Sequence, residues 1–148
     1  MKRLQDKVAI VTGAGSDTGI GAVIARTFAA EGAVVVVTAN ANRQSNMDTL
    51  VKEITDKGQQ ASSAVLDVTK QDQWAEVVAH TVARYNHIDI LINNAGTPGP
   101  RDGSWDKATA EDFHHVMDVN LNSQFYGIKA VAPHMEHQGR GGCVQKRL

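Results

Sequence analysis

The chain has 148 residues, 42% hydrophobic and 21% charged, enough for one domain with a real core. Fifteen lysines and arginines against sixteen acids leave a net charge of −1, so no general attraction to nucleic acid or to an anionic membrane exists. Cys143 is the only cysteine, which excludes an internal disulfide, and no apolar stretch reaches the length of a membrane span or a secretion-signal core. A cytoplasmic location is the expectation.

Short apolar runs alternate with longer amphipathic ones, the pattern of a parallel sheet covered by helices. Strands are expected at Val8–Val11, Ala33–Thr38, Ser63–Val68 and Ile88–Asn93. Between the first two, Ile20, Ile24 and Phe28 recur at helical spacing and Glu31-Gly32 ends the run. The second crossover carries Met47, Leu50, Val51 and Ile54 on one face, closed by Lys57-Gly58, and the third carries Trp74, Val77, Val78, Thr81, Val82 and Tyr85. Right-handed crossovers then place the strands in the order 3-2-1-4. A proline- and glycine-rich loop follows over residues 97–103. Beyond it a single long helix is expected from Phe113 to Met135, with Pro133 bending it or ending its regular part, and the segment after Gly139 has room to begin a fifth strand.

Gly13, Gly19 and Gly21 follow the first strand and open the first helix. At such a turn the first glycine permits the sharp bend, the second lets backbone approach a pyrophosphate, and the third lets the helix pack on the sheet. The helix N-terminus supplies unpaired N–H groups and a positive dipole end. A carboxylate at the end of the second strand would bind the adenosine ribose, but Ala39 stands there, followed by Asn40-Ala41-Asn42.

With Thr12-Gly13, Gly19-Ile20-Gly21, Leu66-Asp67-Val68, Asn93-Asn94-Ala95-Gly96 and Val119-Asn120-Leu121 in this order, the chain resembles the N-terminal half of the short-chain dehydrogenase/reductase family over about residues 4 to 137. The resemblance implies a doubly wound α/β sheet of Rossmann type. Residues 1–148 would form one NAD(P)-binding domain that stops at or within its fifth strand. It implies cofactor contacts at Gly13, Ser16, Gly19, Ile20, Asp67, Val68, Asn93, Ala95 and Gly96. Asn120 matches the family's catalytic asparagine, which kinks its helix and positions a lysine through water; taken alone it would read as a polar helix residue bonded to backbone. In the family this long helix, here about residues 111–137, also contributes to a dimer interface.

Three departures bear on function. Five residues separate Gly13 from Gly19 where the family has three, so Asp17-Thr18 reads as inserted. Asp17 is expected to cap the helix; the alternative puts its carboxylate in the anion site, where it would compete with a dinucleotide. Ala39 removes the acid that repels a 2′-phosphate, and Arg43 lies close enough to pair with one, which favours NADP over NAD; a solvated loop arginine is the alternative. Finally, the family's serine and Tyr-x-x-x-Lys are not matched, since Tyr126 and Lys129 are three apart and sit on the Asn120 helix. Proton transfer needs a tuned group beside the substrate oxygen.

The implied activity is NAD(P)-dependent oxidoreduction of an alcohol or ketone, with little or none expected from this chain alone. The alternative is a non-catalytic dinucleotide-binding module, or a remnant that needs a partner to complete its fold. His134 and His137 share a helix face but lack further ligands, so no metal site is expected.

Overall fold

The structure, a computed structural model, describes residues 2–100 and 104–145. Its strands are β1 (Val8–Val11), β2 (Val34–Ala39), β3 (Gln60–Val65), β4 (Ile90–Asn93) and β5 (Gly142–Gln145). All pair in parallel, in the order β3-β2-β1-β4-β5. The crossovers are helices α1 (Ile20–Ala30), α2 (Gln44–Asp56), α3 (Gln71–Tyr85), and the pair α4 (Ala110–Met117) and α5 (Ser123–Gln138).

Alternation along each strand divides the apolar residues between two cores, as a sheet covered on both faces requires. Val11, Val35, Val37 and Ile92 point to the face covered by α1 and α2, where Ala22, Ala25, Met47, Leu50 and Ile54 are buried. Ile10, Val36 and Leu91 point to the other, against Trp74, Val77 and Val78 of α3 and Val131 and Met135 of α5. Trp74 is buried whole because its indole Nε1 donates to the Val68 carbonyl at 2.9 Å, and α5 approaches it through Gly127. A Cβ added there would lie 2.7 Å from the indole ring.

The edge of the sheet where strands begin is fastened by charge. Asp89, 4% exposed, accepts the Val8 N–H at 2.9 Å and lies close to three basic residues, Lys7, His87 and Arg140. Arg140 Nε is 2.8 Å from Oδ1, His87 Nε2 is 3.1 Å from Oδ2, and Lys7 Nζ is 3.6 Å from Oδ1. One carboxylate thereby joins the approaches to β1, β4 and β5.

Four expectations from the sequence shift. The second strand begins one residue later than Ala33, since Ala33 N–H bonds back to the Phe28 carbonyl. The third strand is Gln60–Val65 rather than Ser63–Val68, because it pairs with β2 from Gln60 opposite Val34 to Val65 opposite Ala39, and buried Leu66 and Val68 lie in the turn beyond. Ile88 is buried but precedes the β4 ladder. The single long helix is two helices joined by a π-helical turn, Asp118–Asn122, and α5 runs through Pro133 to Gln138. The break comes from an extra residue in the turn, with the Ser123 N–H bonded five residues back to the Asp118 carbonyl, and proline at an exposed position costs only one backbone bond. Residues 101–103 of the expected loop and the last three residues lie outside those described. Among the described residues no helix is long and apolar enough to cross a membrane.

Candidate functional site at the carboxyl edge of the sheet

Parallel strands deliver all their carboxyl ends to one edge, so turns that are far apart in sequence meet there. After β1, Gly13 takes φ +66°, and a Cβ on it would lie 2.7 Å from Ala95 Cα. Gly21 is as tight, since its Cβ would meet Asn94 Nδ2 at 2.6 Å and the Gly13 carbonyl at 2.8 Å. Gly19 is the N-cap of α1 with no side chain bonded to the helix end and no acid in the first turn, which leaves the N-terminal N–H groups of α1 free of side-chain caps. Ser16 accepts the Gly19 N–H through its carbonyl at 3.1 Å, and Ile20, 59% exposed, is the first helical residue.

A hydroxyl ties the β1 and β4 turns together. Thr12 Oγ1 donates to the Ile92 carbonyl and accepts the N–H groups of Asn94 and Ala95, both at 3.0 Å. Asn94 answers with its amide, Nδ2 donating to the Thr12 carbonyl at 2.8 Å and to that of Gly13 at 3.2 Å. Asn93 is buried beside Gly127 with its Nδ2 unpaired, and Gly96 is exposed at the mouth.

The remaining edge is supplied by β2 and β3. Gly15 is buried against the first turn of the segment after β2: a Cβ on it would lie 2.6 Å from Arg43 Cβ and 2.7 Å from Ala39 Cβ. Arg43 is exposed, and among the described residues its guanidinium makes no hydrogen bond or ion pair. After β3, Asp67 Oδ1 accepts from Thr69 N at 3.0 Å and Thr69 Oγ1 at 2.7 Å, while the Asp67 N–H donates to Gln73 Oε1 at 2.7 Å. Val68 is buried and gives its carbonyl to Trp74.

Asn120 sits inside the π-helical turn and grips the loop after β4 with both ends of its amide. Oδ1 accepts the Thr97 N–H at 2.7 Å and Nδ2 donates to the Thr97 carbonyl at 2.8 Å. Its own carbonyl accepts from Gln124 Nε2 at 2.6 Å. Tyr126 packs into the α3 side of the core and Lys129 is exposed, so neither reaches this edge.

Asp17 neither caps α1 nor turns into the cradle. Its carboxylate accepts from Asn46 Nδ2 of α2 at 3.4 Å and its carbonyl from Arg26 Nη1 at 3.0 Å. Asn94 and Gln124 join the edge without a spacing signal of their own. The repeated asparagine beside Ala95-Gly96 marks the first; nothing in the helical period marks the second.

The short chain dehydrogenase family model matches residues 7–145. The chain belongs to the short-chain dehydrogenase family. It is 40% identical over 142 residues to the 3-oxoacyl-[acyl-carrier-protein] reductase FabG of Thermotoga maritima, covering 96% of this chain and 55% of that protein. A 7α-hydroxysteroid dehydrogenase complexed with NADH and 7-oxo glycochenodeoxycholic acid superposes with a TM-score of 0.85 at 35% identity, covering 97% of this chain and 53% of that one. A metagenomic short-chain oxidoreductase in complex with NADP gives 0.84 at 32% identity, covering 96% of this chain and 62% of that one. The chain spans about half the length of the curated relatives it matches. Family neighbours thus bind NADH in one case and NADP in the other.

Proposed function

We propose that this chain binds an NAD(P) dinucleotide across its carboxyl edge and forms the cofactor-binding part of an oxidoreductase acting on an alcohol or ketone. The observation that carries the reading is the turn after β1. Three glycines there stand where a Cβ would strike Ala95, Arg43 or Asn94, next to a helix N-terminus without a side-chain cap. Gly13, Ser16, Gly19 and Ile20 would face the pyrophosphate, Arg43 the adenosine ribose, Asp67 and Val68 the adenine, and Asn93, Ala95 and Gly96 the nicotinamide side. When bound, the nicotinamide supplies or accepts the hydride.

Ala39 and the guanidinium of Arg43, unpaired among the described residues, favour a 2′-phosphate, so NADP is the preferred form. Asn120 is the one member of the family's proton-handling set proposed here, acting on the loop through Thr97. The 148 residues contain no Tyr-x-x-x-Lys, since Tyr85 has Asp89 and Tyr126 has Ala130 at that spacing. Binding with little or no turnover is therefore the expected behaviour. A cytoplasmic setting and a second copy against the exposed Phe113, Leu121, Phe125 and Ile128 belong to the same proposal.

Calorimetric titration with NADPH and NADH, paired with a steady-state assay on alcohols and ketones, tests it. Binding of both, tighter for NADPH, without turnover is the expected result; absence of any binding overturns the reading.

A further inference from the structure

The longer turn touches the start of α2 at two points. Gly15 packs on Arg43, and Asp17, two residues on, reaches Asn46. Its backbone is held from the other side by Arg26, which donates to the Asp17 carbonyl while its guanidinium is fixed by Glu53 through contacts of 3.1, 2.9 and 2.7 Å. Asp17 is therefore docked on α2, two residues after Gly15, which packs against Ala39 at the carboxyl end of β2.

We propose that Asp17 is a specificity-determining residue for the adenosine end of the dinucleotide. Resting on the cofactor reading above, the docked carboxylate shares the α2 rim with Arg43. It opposes a 2′-phosphate through its charge, which narrows the NADP preference that Ala39 and Arg43 create. A 2′-phosphate carries about −1.5 to −2 charges, so an added −1 in a solvated rim is worth about fivefold in its binding and little to an uncharged ribose.

The test is calorimetric titration of the full chain, its D17N variant and its N46A variant with NADPH and NADH at low salt. D56N, the same charge change at the last residue of α2, is the control. In D17N the NADPH Kd falls about fivefold and the NADH Kd moves less than about twofold; N46A shifts the ratio in the same direction by less, and D56N leaves it unchanged. Equal shifts for both dinucleotides, no shift, or the same ratio change in D56N overturns the role of Asp17 alone. Failure of the unaltered chain to bind either dinucleotide overturns the cofactor reading together with it.

Discussion

Asn120 and Thr97 are joined twice, the Thr97 N–H donating to Asn120 Oδ1 at 2.7 Å and Asn120 Nδ2 donating to the Thr97 carbonyl at 2.8 Å. The pair imitates a strand-to-strand exchange, with a side-chain amide in place of a second backbone. It pins the loop after β4 to the π-helical turn, which gives Asn120 a structural task whether or not substrate is present.

Asn120→Ala removes both bonds and leaves the half-buried Thr97 amide and carbonyl unpaired, a loss of about 1–3 kcal/mol of stability. Urea unfolding measures it. Asn120→Asp keeps the acceptor, sets a second oxygen against the Thr97 carbonyl, and loses a similar amount; an unchanged midpoint in both variants would show that the clamp is idle.

The glycine turn allows strain and contact to be separated. Gly13 and Gly58 both hold positive φ, +66° and +73°, but a Cβ at Gly13 meets Ala95 backbone at 2.7 Å whereas Gly58 has nothing within 4 Å. Gly58→Ala then costs about 1 kcal/mol from conformation alone, and Gly13→Ala about 2–4 kcal/mol from conformation and collision together. Thermal melts of the two variants report the difference, and equal losses would contradict the close approach.

The glycine turn, the first helix and the strand order were readable because each rests on local chemistry: Val8–Val11 is uniformly apolar, Gly13 marks the bend, and Glu31-Gly32 stops the helix. What was not readable is tertiary. β3 has one neighbour and half-exposed Ser62 and Ser63, so only its pairing with β2 reveals where it starts. The apolar positions from Phe113 to Met135 fit one helical period, yet the extra residue of the π-helical turn rotates the two halves apart: Phe113 of α4 is exposed while Val131 and Met135 of α5 are buried. Asn120 was legible from its motif but its partner Thr97 was not, and Asp17 went to Asn46 because a helix distant in sequence lies there.

Glu53 is held at a pKa of about 2, against an ordinary 4.5, first by the hydrogen bonds from Arg26 and then by those from Lys57. A depressed carboxylate stabilises the fold fully above its ordinary value and loses that contribution as pH falls through about 2. The melting-temperature advantage over Glu53→Gln should therefore be flat above about pH 5 and vanish toward pH 2, and added salt should shrink it throughout. An advantage that grows on acidification would reverse the sign and sink the assignment.

Asp89→Ala should cost about 1–3 kcal/mol, because it strands the buried Val8 N–H and removes the partner shared by Lys7, His87 and Arg140. Arg140→Ala, at a side chain 53% exposed, should cost much less. Denaturant midpoints for the two variants give the comparison, and a reversed order would mean that the carboxylate is held by solvent rather than by the strands.

The central place of β1 has a bearing on how the molecule is made. The Val8 bond to Asp89 spans 81 positions, and β4 cannot dock on β1 before that stretch is looped back. Until then one flank of an entirely apolar strand stays bare, and closing a loop of that span is a larger entropic step than forming any one of the helices.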